Sequence, residues 1–256
     1  MGGKSKMVSE KVVVKSAVSN SVTGIELGKA KGAIEQFIYS CSHTLRGPLK
    51  SITGLVRLLK NVEAHPELDP KFLVQSIEKT VEKMEVILHD LEQFLSNSRQ
   101  SIVTQSVEVN ASLKEVLDEF QTEVEHHGIK ISVAVDQYVP LYTDKNRFDT
   151  LLSQLISNAI HFRDEGKNKM EIGIRIKVTP VICTVHIEDN GIGINEEVLP
   201  HIFQLFYRGS ERATGSGVGL YIVKEILNKM GGTISTRSTE TIGTTFYFSI
   251  PNLCQE

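Results

Sequence analysis

The histidine at position 43 is the side chain in this sequence with the clearest chemical potential. It lies in the run Ser-His-Thr-Leu-Arg-Gly-Pro-Leu at residues 42–49, within an apolar pattern of helical spacing. A neutral imidazole is a competent nucleophile near pH 7, because its unperturbed pKa is about 6.5. A solitary histidine usually has no special role, but this one precedes two glycine-rich runs of a nucleotide-binding type. The combination predicts a histidine that accepts a phosphoryl group supplied through the same chain.

The first glycine-rich run, Asp-Asn-Gly-Ile-Gly at residues 189–193, directly follows a predicted strand. Its two glycines permit a tight turn and a close approach of the backbone to a ligand. The carboxylate of Asp189 can accept a hydrogen bond from an exocyclic amine such as that of adenine. Because Asp-x-Gly-x-Gly also occurs in many ordinary turns, the run alone supports a purely structural turn equally well.

The second run, Gly-Ser-Gly-Val-Gly-Leu at residues 215–220, opens a predicted helix. Exposed amides at a glycine-rich helix N-terminus form an anion site that suits phosphates. No Gly-Lys-Ser/Thr follows, which excludes a Walker loop. The glycines also follow a loop and not the first strand of a βαβ unit, which excludes a Rossmann fingerprint.

A third candidate, Asn158, lies on a helix predicted over residues 145–162. Its amide oxygen could ligate Mg²⁺, which takes few protein ligands beside phosphate oxygens and water. For a single helical asparagine, solvation at the surface is the commoner role.

Two long helices are predicted before the glycine-rich part of the chain. Apolar residues recur at steps of three and four over residues 30–62 and again over residues 73–95. Two prolines in residues 65–70 close the first helix, and Asp69 is a suitable cap for the second. A helical hairpin alone buries only part of its apolar seams, so we predict a homodimer that pairs residues 30–98 into a four-helix bundle. The alternative is a hairpin that packs on the rest of its own chain.

Two features of the sequence predict movement. Pro48 has no N–H for the carbonyl of Thr44, four residues back, so the first helix should bend beside His43. A linker near residues 97–103 should allow the C-terminal part of the chain to swing onto the helices.

From Ile102 onward, short strands alternate with helices. Period-two patterns predict strands near residues 129–135, 172–178, 183–187 and 244–250, with another at Ile234, and helical patterns cover residues 110–127, 145–162 and 217–230. Asn110 is the expected cap of the first of these helices. The predicted fold class is α+β: a lead-in over residues 1–29, an antiparallel helical hairpin over residues 30–98, and an α/β sandwich over residues 103–253.

The composition is that of an ordinary soluble protein. Hydrophobic residues make up 40% of the chain and charged residues 23%, and the net charge is −3. This balance gives no support for nucleic-acid binding, and no apolar run approaches the ~20 residues of a membrane span. The cysteines Cys41, Cys183 and Cys254 are scattered and fit a reducing cytosol better than a disulfide framework, so we expect a cytoplasmic protein.

The order of these motifs resembles the catalytic core of sensor histidine kinases. Residues 42–49 resemble the H box, residues 158–162 (Asn-Ala-Ile-His-Phe) the N box, residues 189–193 the G1 box, residues 203–208 (Phe-Gln-Leu-Phe-Tyr-Arg) the F box, residues 215–220 the G2 box and residues 243–246 (Gly-Thr-Thr-Phe) the closing element. The resemblance covers roughly residues 30–250. It implies a dimerisation and histidine-phosphotransfer hairpin followed by a Bergerat-type ATP-binding domain.

The resemblance also implies a role for individual residues. ATP would phosphorylate His43 on an imidazole nitrogen, with Thr44 and Arg46 beside it as catalytic residues, and the phosphoryl group would pass to an aspartate in the receiver domain of a response regulator. Asn158 would hold Mg²⁺, and Asp189 would bind the adenine amine. The other implied ATP-binding residues are His161, Phe162, Gly191, Gly193, Phe206, Arg208, Gly215, Gly217, Val218, Gly219, Leu220 and Thr245.

Three positions depart from the family pattern. Thr44 stands where the family commonly has Glu or Asp, and a hydroxyl is a poor base. Gly47 offers no side chain to position water for a phosphatase reaction. His161 stands where the N box often has a phosphate-binding Lys; protonation near pH 6 would partly restore the charge, and Arg163 or Lys167 could substitute for it.

Two other interpretations remain open from the sequence. The departures at Thr44 and His161 allow a catalytically weak, nucleotide-binding dimeric scaffold with the same fold. A topoisomerase-like or mismatch-repair-like Bergerat ATPase is the second, although the hairpin with His43 argues against it. No sensor domain is recognisable, so the chain is an excised core or its input arrives through residues 1–35 or another protein.

Overall fold

The structure is a computed structural model that describes residues 44–65, 68–209 and 217–253. The predictions about residues 1–29, His43 and Gly215 lie outside these ranges. The described residues form two compact units that divide after Ile77, within one long helix.

The N-terminal region is helical, as predicted. Helix α1 covers residues 44–60 and continues through Pro48, and helix α2 spans Pro70–Arg99. Asp69 caps α2, because its Oδ1 accepts a hydrogen bond from the backbone N–H of Lys71 at 2.9 Å. Pro70 occupies the first helical position, where a missing N–H leaves no helix bond unmade. Among the described helices, none combines the length and the apolar character that a membrane crossing requires.

A mixed five-stranded sheet forms the centre of the C-terminal unit. Its strands are β2 (Lys130–Gln137), β4 (Glu171–Val178), β5 (Ile182–Asp189), β6 (Thr233–Thr239) and β7 (Gly243–Pro251). They lie in the order β2-β4-β5-β7-β6; β2 runs parallel to β4, and the other neighbouring pairs are antiparallel. Two short strands, β1 (Gln105–Val107) and β3 (Leu141–Thr143), form a separate antiparallel pair.

Four helices accompany the sheet: α3 (Val109–Glu119), α4 (Gln121–His126), α5 (Lys145–His161) and α6 (Gly219–Met230). Alternate residues of β4 are buried, so one face of the sheet packs into the core. The apolar sides of α3, α5 and α6 belong to the same core. Each large aliphatic side chain buried there contributes about 1.5–3 kcal/mol. The predicted fold, a helical region followed by an α/β sandwich, is confirmed.

The region after Ile102 differs from its prediction in two details. Asn110 is the second residue of α3 and Glu108 is its N-cap, so the prediction of Asn110 as a cap is wrong. The helix predicted over residues 110–127 is divided at Phe120, which has non-helical dihedral angles and packs against the core. Val116, Phe120 and Val124 continue a four-residue spacing across the division, so periodicity alone did not reveal it.

A buried ion pair holds the linker that follows α2. Asp144 and Arg147 are in contact through Oδ2 and Nη1, and both are almost fully buried. Arg147 also donates to the carbonyl of Gln100 at 2.7 Å, as does Lys229 at 2.6 Å, and Asp144 accepts from the N–H of Val103 at 3.0 Å. The linker is therefore tied to α5 and α6 and is not the free hinge that the sequence suggested.

Candidate functional site

Asp189, the last residue of β5, has a buried carboxyl group at the edge of the sheet. Its Oδ1 accepts hydrogen bonds from the backbone N–H groups of Gly191 at 2.8 Å and Thr244 at 3.3 Å. Within the described ranges, Oδ2 has no hydrogen-bond partner. Burial raises the pKa of Asp189 to about 6, against the opposing effect of the two N–H groups and the charge of Lys167. The carboxyl is therefore mostly ionised at pH 7 and can accept a ligand N–H.

The turn after Asp189 is fixed on two sides. The side chain of Asn190 holds the turn to the start of β4. Its Oδ1 accepts a hydrogen bond from the N–H of Glu171, and its Nδ2 donates to the carbonyl of Lys169, both at 2.9 Å. The N–H of Ile192 donates to the carbonyl of Phe162, just after α5, at 3.0 Å. The turn is thus positioned by its own backbone before any ligand binds.

Two glycines of this turn allow contacts that a side chain would prevent. A Cβ at Gly191 would lie 2.3 Å from the carbonyl oxygen of Phe162 and 2.9 Å from Oδ1 of Asp189. Gly193 has a φ of +69°, and a Cβ there would lie 2.1 Å from the carbonyl oxygen of Thr239. Any larger residue would displace the turn and the carboxylate that it positions.

Lys167 contacts this turn and does not point towards a phosphate site. Its ammonium donates to the carbonyls of Asn190 at 2.6 Å, Gly191 at 3.0 Å and Ile242 at 3.0 Å. The suggestion that Lys167 replaces the N-box lysine is therefore wrong, because its donors are already bonded to backbone oxygens. Arg163 is likewise engaged, with Glu165 at 2.9 Å.

One face of α5 connects the turn to the start of α6. Gln154, Asn158 and Phe162 follow at intervals of four, so they share that face. A Cβ at Gly219, the first residue of α6, would lie 2.4 Å from Oε1 of Gln154, and Phe162 contacts the turn at Gly191. Asn158 lies between these two contacts. Its Nδ2 is buried without a hydrogen-bond partner, a costly state that a ligand would relieve.

His161 ends α5, and its ring packs edge-on against Phe162 with the centroids 5.0 Å apart. Partial desolvation of the ring, together with the nearby charge of Arg163, lowers the pKa of His161. The expected positive charge near pH 6 is therefore weakened, because a lowered pKa leaves less of the imidazole protonated at that pH. As the pH falls below 7, this imidazole becomes protonated at a lower pH than an ordinary histidine does.

The start of α6 forms the other end of the site. Gly217 has a φ of +72° and packs on the backbone of Phe206, whose N–H donates to the carbonyl of Gly217 at 2.8 Å. Val218 is fully buried and acts as the N-cap of α6 without a side-chain hydrogen bond. Val218 can therefore offer a ligand only its backbone, while Leu220 is half-buried against the core. The first amides of α6 form the local positive end of its dipole.

In the closing element at residues 243–246, Thr244 contacts the carboxylate of Asp189, whereas Thr245 was the expected ligand residue. Thr244 lies opposite Asp189 in the sheet and donates its N–H to it. Thr245 pairs with Glu188 and Arg237, so its side chain faces the other side of the sheet. The register does not support Thr245 as a ligand residue. Sequence reasoning did not single out Thr244 as a contact of Asp189, and it gave Lys167 a different role.

The other predicted residues belong to α1, to the segment after Phe206, or to ranges that the structure does not describe. Thr44 and Arg46 are at the start of the described part of α1, where Thr44 is half-buried and Arg46 is exposed. Arg208 is exposed beside Phe206. His43 and Gly215 are not among the described residues.

Comparison with known families gives a match over residues 143–253. The matching family is described as histidine kinase-, DNA gyrase B- and HSP90-like ATPases. The matched region runs from the end of β3 to the residues after β7, and so contains Asn158, Asp189, Thr244 and all of α6.

Two curated relatives align with almost the whole chain. Cyanobacterial phytochrome B of Nostoc sp. is 30% identical over 94% of this chain and 32% of its own length. The methanogenesis regulatory histidine kinase FilI of Methanothrix harundinacea is 31% identical over 97% of this chain and 28% of its own length. The chain thus spans about a third or less of these relatives.

A solved structure shares the fold. The histidine kinase ThkA, in complex with the response regulator protein TrrA, matches with a TM-score of 0.64 at 23% identity. The match covers 82% of this chain and 59% of that chain. It extends beyond the ATPase domain, so the helical N-terminal region belongs to the same architecture.

Proposed function

Because the chain carries the catalytic core of a sensor histidine kinase, with the ATPase domain at residues 143–253, we propose that it is a protein histidine kinase of two-component signalling. In this reaction ATP phosphorylates His43, and the phosphoryl group then passes to an aspartate of a response regulator. The observation that carries the proposal is the buried Asp189 carboxylate, which has one oxygen bonded to two backbone N–H groups and lies beside the glycine turn.

The base of ATP binds at Asp189. The 6-amino group of adenine donates a hydrogen bond to Oδ2, while Oδ1 stays bonded to Gly191 and Thr244. Burial makes this bond strong, because few water molecules compete for the carboxylate. With a pKa of about 6, Asp189 is ionised and accepts this bond at neutral pH.

The phosphates bind between α5 and the start of α6. The amides of Gly219 and Leu220 carry no side-chain cap and can bind phosphate oxygens. Asn158 fits a ligand at this position, since its buried Nδ2 has no protein partner and its amide oxygen is a suitable Mg²⁺ ligand. A bound Mg²⁺ would neutralise phosphate charge. A single amide ligand is compatible with this ion, which keeps several waters, and no His, Cys, Asp or Glu cluster for a metal occurs among the described residues.

His43 is the proposed acceptor. A ring nitrogen of its neutral imidazole attacks the γ-phosphorus, the N–P bond forms, the bond to the bridging oxygen breaks, and ADP leaves with that oxygen. The protein mainly has to align these groups, since phosphoryl transfer needs little covalent assistance. Thr44 follows His43 and can accept a hydrogen bond, but it is a weak base for the remaining ring proton.

The functional unit of this proposal is a homodimer through residues 30–98. Val74, Val81, Leu88 and Leu95 recur at seven-residue intervals along α2, and all four side chains are exposed. A heptad stripe of this kind suits a second copy of the same helix, because aliphatic side chains at such spacing pack into one another. A change such as Leu88→Asp would shift the protein to a monomer in analytical ultracentrifugation.

The proposed partner is the receiver domain of a response regulator. ThkA, which shares the fold of this chain, is seen in complex with the response regulator TrrA. The same architecture would present the phosphorylated histidine to an aspartate, which takes the phosphoryl group and leaves neutral imidazole.

A labelling experiment tests the function. The full chain is incubated with Mg²⁺ and ATP labelled at the γ-phosphate, and the label is expected on the protein in an acid-labile, base-stable form. His43→Gln should abolish it, while His89→Gln, an exposed histidine of α2, should leave it unchanged. Wild-type protein that binds ATP but never becomes labelled would contradict the kinase proposal.

A second candidate function is a catalytically weak, nucleotide-binding scaffold. The lowered pKa of His161 favours it, because the phosphate side then lacks the positive charge that this position often supplies. Thr44→Glu distinguishes the two: a large gain in labelling rate would mean that Thr44 limits an otherwise competent kinase. Absence of label in both proteins, with ATP bound, would favour the scaffold.

A further inference from the structure

We propose that Lys167 is a positioning residue of the base site, because its ammonium ties the turn at residues 189–193 to the β6–β7 turn and so fixes the Asp189 carboxylate. The inference rests on the proposed binding of ATP at Asp189.

The ammonium of Lys167 is fully engaged by backbone oxygens. A lysine ammonium has three N–H donors, and the three carbonyls of Asn190, Gly191 and Ile242 accept one each. Ile242 lies 75 residues further along the chain, so one side chain joins two distant turns. The nearest carboxylate oxygen, Oδ2 of Asp164, is 3.9 Å away and is a weaker partner.

The two turns pack backbone against backbone, and the hydroxyl of Ser238, which accepts from the N–H of Ile194 at 2.8 Å, adds a side-chain bond next to this contact. The N–H of Thr241 donates to the carbonyl of Ile192 at 2.7 Å. A Cβ at Gly243, whose φ is +149°, would lie 2.0 Å from the carbonyl oxygen of Asp189. Three carbonyl dipoles converge on one point in this contact and repel one another. A positive charge at that point removes the repulsion, which a neutral side chain of similar size cannot do.

Lys167 also acts on Asp189 through its charge. Its ammonium favours the ionised carboxylate, and the neighbouring Glu188 opposes it. These are the charged side chains that influence Asp189, and the remaining favourable contacts come from the backbone N–H groups of Gly191 and Thr244. Removal of the Lys167 charge therefore makes Asp189 harder to ionise, whereas a purely space-filling role would leave its ionisation unchanged.

The test is ADP binding by the full chain, measured by calorimetry between pH 5 and pH 8. Lys167→Gln removes the charge, Lys167→Arg keeps it, and Lys177→Gln removes an exposed lysine of β4 as the matched control. We expect Lys167→Gln to weaken binding about tenfold at pH 7.5. The pH at which affinity falls to half should rise, because a less stabilised carboxylate takes up its proton at higher pH. Lys167→Arg should keep the wild-type midpoint, and Lys177→Gln should bind within about twofold of wild type.

The outcomes separate this inference from the proposed function. Wild-type protein that binds no ADP at any pH would overturn ATP binding itself. Wild-type binding with equal affinities and midpoints for Lys167→Gln and Lys177→Gln would overturn the role of Lys167. Weaker binding with an unchanged midpoint would reduce Lys167 to a structural residue. If Lys167→Gln does not fold, Lys167→Met, which also removes the charge, replaces it: an upward shift of the midpoint supports the inference, and an unchanged midpoint contradicts it.

Discussion

The base side of the site, around Asp189, and the phosphate side, along α5 and the start of α6, differ in how far the protein pairs their polar groups. On the base side, Oδ1 of Asp189, the amide of Asn190 and the ammonium of Lys167 all have partners within the chain. On the phosphate side, the buried Nδ2 of Asn158 has none, and α6 begins without a side-chain cap.

The difference indicates which half of the site the protein completes by itself. A turn fixed by its own hydrogen bonds needs little reorganisation when the base binds, so it supplies specificity at low entropic cost. An unpaired buried amide contributes little to the stability of the free protein and is satisfied only when a ligand arrives. Substitutions on the base side should therefore affect stability and affinity, while those on the phosphate side should affect affinity alone.

The largest effect is expected for Asp189→Asn. The new amide can still accept from Gly191 and Thr244, but it then presents N–H groups to the adenine amine, so two donors face each other. ATP affinity should fall about 100-fold in calorimetry at pH 7.5. Asp136→Asn, an exposed carboxylate of β2, is the matched control and should bind as wild type does.

The same variant also tests how the ionisation of Asp189 affects the stability of the protein at different pH values. Because the pKa of Asp189 in the folded protein is raised to about 6, its stabilising contribution is present at low pH and is lost as pH rises through about 6. The ligand-free wild type should therefore lose stability relative to Asp189→Asn as the pH rises from about 3.8 to about 6, and the difference should stay constant above that range. Parallel stability curves for the two proteins in urea unfolding would show that Asp189 has an ordinary pKa.

Gly191→Ala should cause the next largest effect, on stability. Its Cβ would lie 2.3 Å from a backbone oxygen, which cannot be relieved by a side-chain rotation. We expect a loss of about 2–3 kcal/mol and a melting temperature lower by roughly 5–10 °C. Gly173→Ala in β4 is the control, because its Cβ would meet only the hydroxyl of Ser132 at an ordinary 3.6 Å. Equal melting temperatures for the two variants would contradict the tight turn.

Asn158→Ala should separate the two sides of the site. It removes a group whose Nδ2 has no protein partner, so the melting temperature should change by no more than about 1 °C. Affinity for ATP with Mg²⁺ should fall about tenfold. Asn146→Ala, at an exposed position of α5, should change neither quantity. If the melting temperature of Asn158→Ala were as low as that of Gly191→Ala, the proposed difference between the base side and the phosphate side of the site would be contradicted.

His161→Lys should give the smallest effect. A lysine adds a positive charge on the phosphate side, and ATP affinity should rise about threefold, as a partly exposed charge pair allows. Because the pKa of His161 is lowered, the gain at pH 6 should fall below the gain at pH 7.5 by less than it would for an ordinary histidine. A gain confined to pH 7.5 would show that the wild-type histidine is already protonated at pH 6. His89→Lys on α2 controls for the general effect of added charge.

The elements with one buried face could be predicted from the sequence. Helix α5 and strands β4 and β5 follow their apolar periods closely, because each packs a single face into the core. Asp189 and Asn158 were identified because their spacing matches motifs that the family shares. The division at Phe120 was missed, since a local break between α3 and the short α4 leaves the spacing of Val116, Phe120 and Val124 intact.

The residues that support the site could not be predicted in the same way. Lys167 meets Ile242 only because the β6–β7 turn folds back against the Asp189 turn. Thr244 contacts Asp189 because of the register between β5 and β7, and a shift by one residue would place Thr245 there instead. Such pairings depend on tertiary structure, which local patterns do not contain.

The buried pair of Asp144 and Arg147 has a consequence for exchanging modules between proteins of this kind. Arg147 binds the carbonyl of Gln100, and Lys229 binds the same oxygen, so the last turn of α2 and the linker complete the core of the C-terminal unit. A chain cut at Val103 would remove the carbonyl of Gln100 from Arg147 and leave Asp144 as its remaining partner, so the C-terminal unit should lose stability. A chimaera joined near Ile77, inside α2, would keep this network whole, and the junction would lie within a continuous helix.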